Sequence, residues 1–325
     1  MEEIGGQRDF LLSVHFKFRP VLPLAAFTCL VLFLLATTGC SRTKNAAPDS
    51  SQRTRELTDD AGRHVSVPLR VERIISLAPN LTEIVYAVGA GDRLVGNTSY
   101  CDFPPAAKTV EKVGDTLHPS LERIIGLRPQ LVLVSTASQL EVFTQQLDAH
   151  NIAVFVTDPR DLEGVFRSIE RLGDITGQGV QAKQLVEQLR ARATAVEAAV
   201  KQKHPVTVFY QLSGEPLYTA GHDAFVTDLI QRAGGVSVTS TVPGAWPKFS
   251  SESALAARPE AIVLPTGGSM GEANSTVADA LKRSPAVLAG RVYKINDDIL
   301  VRPGPRAVDG LEQMARAFHP DAFKR

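Results

Sequence analysis

Residues 121–134 read LERIIGLRPQLVLV, and residues 251–265 read SESALAARPEAIVLP. Each opens a short amphipathic stretch near a glutamate (Glu122, Glu252), then has an Arg-Pro step (Arg128-Pro129, Arg258-Pro259) and an apolar run at 131–133 or 262–264. A residue before proline is steered away from helical geometry, so each unit predicts a short helix that stops and hands over to a buried strand. Glu252 follows Glu122 by 130 residues. A unit repeated at that distance predicts two similar α/β lobes facing each other across a cleft.

Working outward from the first copy, residues 56–68 predict a hairpin turning at Asp59-Asp60-Ala61-Gly62, and residues 73–77 a buried strand. A helix follows, with Asn80 as its expected N-cap and Glu83 at the capping-box position. A strand near 94–96, a helix at 139–150 and a strand at 153–156 continue the alternation, which implies a mostly parallel sheet. Residues 179–203 differ, having no proline or internal glycine. Ala182, Leu185, Val186, Leu189, Ala193, Val196 and Val200 recur there at helical spacing until His204-Pro205. That predicts one helix of about seven turns, roughly 37 Å long, able to tie two lobes together. Beyond it come a strand at 207–212, a helix at 224–233, the second copy, a strand at 292–295 and a helix at 307–318. The expected fold class is α/β: two Rossmann-like lobes with mostly parallel sheets, at 56–177 and 205–325, bridged by a single long α-helix at 178–204.

The chain begins with Arg8, Lys17 and Arg19, then an apolar run at 21–36 that is short for a transmembrane span and interrupted by Pro23. It ends in Thr37-Thr38-Gly39-Cys40. Residues 1–39 read as a secretory signal. The ending resembles a lipobox, which implies cleavage before Cys40 and acylation of that cysteine as a membrane anchor. Residues 40–55 are polar and aperiodic, a solvated tether. The expected location is the periplasm or cell surface, anchored by lipid. With 35 basic and 35 acidic residues the chain has no net charge, and nothing recommends nucleic acid as a partner. Cys29 falls in the signal and Cys40 at its end, leaving Cys101 in the folded part and no internal disulfide expected.

The lobes, the single helix, the paired glutamates and the stretches 57–62 (LTDDAG), 73–80 (RIISLAPN), Thr82-Glu83, 99–105 (SYCDFPP) and Trp246-Pro247 resemble the class III substrate-binding proteins of ABC importers. This is the iron-chelate and cobalamin family, and the resemblance runs from about Leu57 to Phe318. It is nearest to the cobalamin-binding members, through the loop at 99–105, the segment around Trp246-Pro247 with Ser251-Glu252, and Asp298-Ile-Leu-Val-Arg302. It implies a bound corrinoid or iron chelate and no enzymatic cofactor. The implied partners are an ABC permease dimer with its ATPase subunits, docked through Glu122 and Glu252. Independently of the resemblance, Pro79 and Asn80 fall where the expected strand meets a helix N-terminus, a usual ligand position in parallel α/β lobes. Tyr100 and Trp246 offer flat apolar faces from different lobes. Asp298 and Arg302 read either as an ion pair or as polar contacts to the ligand's amide rim. Thr116, Ser135 and Leu212 stand where the cobalamin binder offers large aromatics, which implies a roomier or more polar cleft; Tyr218 is a candidate replacement surface. A siderophore or haem carrier is the second reading, and an extracytoplasmic enzyme on a cofactor-like substrate the third.

Other chemistries find little support. Gly89-Ala90-Gly91 and Gly96 follow a helix and precede a strand, the reverse of a dinucleotide loop. The histidines lack metal-ligand spacing, so no metal site is expected. The glycine loop at 267–271 lacks a phosphate-loop lysine, and Cys101 has no neighbouring sequence partner that marks a nucleophile.

Overall fold

The computed structural model describes residues 53–135, 140–267 and 276–324. The signal at 1–39, Cys40, the tether up to residue 52 and Gly268 to Gly271 of the glycine loop lie outside the described residues. Strands β1 (Thr54–Thr58) and β2 (His64–Pro68) form the antiparallel hairpin, starting two residues before the expected Glu56. Asp59 shapes its turn by accepting from the Ala61 and Arg63 amides at 3.0 and 2.9 Å.

The first lobe is a four-stranded, wholly parallel sheet of β3 (Ile74–Ser76), β4 (Leu94–Asn97), β5 (Leu131–Ser135) and β6 (Ala153–Thr157), ordered β4-β3-β5-β6. Its helices are α1 (Pro79–Ala87), α2 (Leu121–Gly126), α3 (Leu140–Asp148) and α4 (Leu162–Ile175). The second lobe has β7 (Val206–Gly214), β8 (Leu217–Thr219), β9 (Gly235–Ser237), β10 (Ala261–Thr266) and β11 (Val292–Asn296). Four of these run parallel in the order β9-β7-β10-β11, and β8 pairs antiparallel with the far end of β7. Counted from each lobe's first parallel strand, both sheets have the order 2-1-3-4, with the repeated unit supplying the third strand.

The repeat is structural down to its caps. Ser120 and Ser250 each accept a hydrogen bond from the amide three residues on, opening α2 and α7 (Ser251–Ala256). Arg128 and Arg258 take left-handed φ values of 46° and 48° before their prolines, ending those helices. Gln130 and Glu260 then hold the neighbouring strand, accepting from the Arg73 amide at 3.1 Å and the Thr207 amide at 2.8 Å.

Helix α5 (Gly179–Val200) joins the lobes and buries Ala182, Val186, Leu189, Ala193, Val196 and Val200. Its outer face pairs with both lobes: Arg190 with Glu163 at 2.8 Å on α4, and Arg192 with Asp309 and Glu312 at 2.7 and 2.9 Å on α10 (Ala307–Phe318). Helix α4 lies outside the sequence expectations although Asp161 caps it, accepting from the Gly164 amide. It packs so closely on α5 that a Cβ at Gly173 would come within 2.2 Å of the Ala182 Cβ. The remaining helices are α6 (Phe225–Arg232), α8 (Pro285–Leu288) and α9 (Asp298–Val301).

One hydrophobic core runs through both lobes, from Ile74, Leu81 and Phe166 to Leu229, Val308 and Leu311. The opposite sheet faces have their own cores, Ile75, Val132 and Val134 in the first lobe and Phe209, Ile262 and Leu264 in the second. That alternation of neighbours between faces is the two-residue period of strands covered on both sides.

Candidate functional site

The carboxyl ends of the strands in both lobes converge on a cleft of about 540 Å³. From the first lobe come Ala78, Pro79 and Asn80 after β3, Thr116, Ser135 at the end of β5, and Thr157, Asp158, Pro159 and Arg160 after β6. The second lobe supplies Asp223, Ala224 and Phe225 at the start of α6, Ala245 and Trp246, and Val301, Arg302 and Pro303 after α9.

Trp246 rides on a loop fastened by backbone pairing. The Gly221 amide donates to the Ala245 carbonyl at 2.9 Å, the His222 amide to that of Val242 at 2.7 Å, and the Thr219 amide to that of Pro247 at 3.2 Å. Gly221 permits this, since a Cβ there would meet the Gly244 carbonyl oxygen at 2.2 Å. The Trp246 indole rests against Tyr210, ring centres 6.0 Å apart and tilted by 44°.

Of the residues singled out in the sequence, Pro79, Asn80, Trp246 and Arg302 line the cleft together. Asn80 is not the N-cap and Glu83 is not in a capping box: Pro79 at the first helical position starts α1 two residues earlier, with Ala78 as cap residue. The Asn80 amide instead reaches the other lobe, donating to the Pro303 carbonyl at 3.3 Å. Tyr100, Tyr218 and Asp298 are outside the cleft wall. Tyr100 is exposed in the loop after β4, and Tyr218 is half-buried beside Lys248 in a single β-bridge. Of the three positions expected to widen the cleft, Thr116 and Ser135 line it, whereas Leu212 packs against the core.

Asp298 belongs to a charge cluster beside the cleft that sequence reading does not reveal. Arg302, 8% exposed, lies 2.7 Å from both Asp298 and Asp102 and 3.8 Å from Glu83. Arg306 clasps Glu83 through two hydrogen bonds of 2.8 and 2.6 Å and stands 4.0 Å over the Phe103 ring. Glu83 and Asp102 come from the first lobe and the other three charges from the second, so this cluster joins the lobes. Burial raises the Glu83 carboxyl more than the hydrogen bond and charge of Arg306 lower it, and Asp298 is likewise raised by burial against Arg302. Burial also pushes Asp102 up, but the hydrogen bond and charge of Arg302 outweigh it and hold that carboxyl low. Burial opposes the charge of Arg306, yet its bond to Glu83 keeps its pKa raised. The two short hydrogen bonds favour a charged Glu83–Arg306 pair at neutral pH.

Lys112 ties down the loop carrying Asp102, donating to Asn97 Oδ1 at 2.7 Å and to the Ala107 and Cys101 carbonyls at 3.0 and 3.2 Å. Cys101 is buried, 3.2 Å from the Thr98 hydroxyl. Among the described residues no group of histidine, cysteine and carboxylate side chains could hold a metal ion.

Glu122 and Glu252 both occupy the first turn of their equivalent helices and are exposed. The Ser250 hydroxyl donates to Glu252 at 2.7 Å and lowers its pKa.

Two α/β lobes of one strand order, joined by a single helix and meeting at a cleft built from strand-end loops, define a bilobal solute-binding protein. The chain belongs to the periplasmic binding protein family, whose model matches residues 74–298. It is 29% identical over 310 residues to the uncharacterized ABC transporter substrate-binding lipoprotein YvrC of Bacillus subtilis strain 168, covering 92% of this chain and 98% of that one. The periplasmic vitamin B12 binding protein BtuF of Vibrio cholerae superposes with a TM-score of 0.70 at 28% identity, covering 79% of this chain and 100% of that one. The periplasmic heme-binding protein RhuT of Roseiflexus sp. RS-1 superposes at 0.69 and 25% identity, covering 78% and 99%. The chain is therefore a substrate-binding protein of the ABC-importer kind, not an enzyme.

Proposed function

We propose that this protein is a lipid-anchored carrier that binds cobalamin or a related corrinoid outside the cytoplasm and delivers it to an ABC permease with its ATPase subunits. The observation carrying the ligand assignment is the cleft itself: a tryptophan held on a fastened loop and small polar side chains of the other lobe line one space of about 540 Å³. The similarity to vitamin B12 binding proteins supports it. A haem carrier is the competing assignment, favoured by the similarity to RhuT. Trp246 is the chain's single tryptophan, so its fluorescence reports the cleft alone. Titration of the purified protein with cyanocobalamin is expected to quench that emission at one ligand per chain; quenching by hemin but not cyanocobalamin replaces the corrinoid with haem.

Anchoring is assigned to Cys40 and docking to Glu122 and Glu252. Cys40→Ala is expected to move the protein from the membrane fraction to the soluble fraction; unchanged membrane retention assigns the anchor elsewhere. The two glutamates occupy equivalent places on the two lobes, as docking on two related permease subunits requires. Each also complements its helix dipole, an effect of about 0.3 to 1 kcal/mol. The double variant Glu122→Gln with Glu252→Gln removes both charges and keeps nearly all packing. Unaltered ligand affinity, little change in melting temperature and strongly reduced transport are expected, whereas normal transport leaves both glutamates as helix-end charges.

A further inference from the structure

The two walls of the cleft differ in kind. Opposite Phe225, Trp246 and Val301 of the second lobe, the first lobe presents the hydroxyl-bearing Thr116, Ser135 and Thr157 and no aromatic side chain among its described lining residues. Thr157 is the unusual one: it ends β6 with no exposure, and its Oγ1 has no hydrogen-bond partner. Tyr210, the other buried hydroxyl without a partner among the described residues, lies outside the cleft lining, whereas Thr82 donates to Ser76 at 2.9 Å and Ser76 to the Ala78 carbonyl at 3.0 Å. A hydroxyl buried without a partner loses its hydration and gains nothing, so it destabilises the protein unless something else engages it.

The charges in the cleft narrow what that is. Arg160 pairs with Asp158 at 3.1 Å, and Arg302 is engaged by Asp102 and Asp298. Asp223 accepts from the Gly244 amide at 3.0 Å. The buried arginine of the lining is thus already paired, and Arg160, 74% exposed at its side chain, sits at the solvent edge of the cleft, so the hydroxyls of the inner wall favour neutral hydrogen-bonding arms over carboxylates.

We propose that Thr157 is a specificity-determining residue for the bound ligand. Its hydroxyl has no exposed surface, so it engages the ligand by a turn of its side chain into the cleft that Thr116 and Ser135 line; the three then make the first lobe's wall a hydrogen-bonding face for neutral amide arms on a broad ring, with Trp246 stacking on the ring. This assignment rests on the ring-chelate function proposed above.

Thr157→Val keeps the side chain's shape and removes the hydroxyl, so the test reads two quantities on the full-length protein. The melting temperature without ligand is expected to hold or rise by about 2 to 4 °C, because an unpaired polar group is gone. Affinity for cyanocobalamin, which carries amide arms, is expected to fall about 3- to 10-fold, as for one lost hydrogen bond. Thr157→Ser retains the hydroxyl and is expected to keep the parent affinity. Hemin, whose polar arms are carboxylates, is expected to bind the parent more weakly than cyanocobalamin and to be insensitive to Thr157→Val. A lower melting temperature with unchanged cyanocobalamin affinity makes the hydroxyl structural and overturns this assignment while leaving the carrier function standing. A parent protein that binds neither probe overturns both.

Discussion

Tyr210 shows how much the cleft depends on a residue outside its wall. Its ring supports Trp246 from a fully buried position, and its hydroxyl has no hydrogen-bond partner. Burial, with the charge of Asp297 adding, drives its phenol far above the ordinary tyrosine range, so it stays neutral. Packing is therefore its contribution. Tyr210→Phe is expected to leave stability unchanged or raise it by about 1 kcal/mol, with Trp246 emission preserved. Tyr210→Ala is expected to cost about 3 to 5 kcal/mol through the cavity it opens, and to shift that emission as the indole loses its support. Urea unfolding followed by fluorescence checks both. Trp246 is legible in the sequence as a lone tryptophan among Pro243, Gly244 and Pro247. Tyr100 and Tyr218 show the limit, since a large aromatic in a loop has no fixed direction until its anchors are known. Thr157 ends the apolar strand AVFVT and reads there as one more β-branched residue. The Glu83–Arg306 pair spans 223 positions, and only the folded chain brings it together.

At the scale of elements, the repeat predicts its own backbone conformation. Each copy ends its helix on an arginine in the left-handed region, where glycine carries no Cβ penalty. Arg128→Gly and Arg258→Gly are each expected to stabilise the protein by about 0.5 to 1 kcal/mol, the relieved strain exceeding the entropy that glycine adds to the unfolded chain. Equal, additive shifts in the urea midpoint are expected because the sites lie on different lobes; destabilisation by either change would mean that the side chain holds the turn. The repeat was readable because Arg-Pro before an apolar run punctuates a helix-to-strand passage unambiguously. The long α5 was readable because its period runs over 22 residues without a breaker. Strands β8 and β9, of three residues each, are too short to display a period, and the four-residue α9 is barely one turn. Their pairing is set by the neighbouring β7 and the packed second lobe.

The whole molecule is held across its lobes by more than α5: a shared core, the Leu162 amide donating to Asp228 at 2.9 Å, and the charge cluster. The two partners of the clasp at its centre contribute unequally. Glu83 is 3% exposed at its side chain and Arg306 20%, so the carboxylate bears the larger desolvation cost. Glu83→Gln removes that cost along with the attraction and is expected to change stability by about 1 kcal/mol or less. Arg306→Met leaves the carboxylate buried, with Arg302 at 3.8 Å as its nearest paired cation, and is expected to cost about 3 kcal/mol at neutral pH. The pH dependence follows from the raised Glu83 and Asp298 carboxyls: the folded state holds their protons more tightly than the unfolded chain. Their favourable contribution is complete below the ordinary carboxylate range and is lost as pH rises through the raised values. Asp102, held low mainly by Arg302, acts oppositely, contributing above its ordinary value and failing as pH falls through the depressed one. Arg306→Met raises Glu83 further while Arg302 still holds Asp102, so the deficit is expected to be larger at about pH 8 than at about pH 5. Urea midpoints of the parent and both variants at those two pH values measure it. A deficit that does not depend on pH would assign the loss to the Arg306–Phe103 packing, and a Glu83→Gln variant as unstable as Arg306→Met would make the attraction larger than the cost of burial.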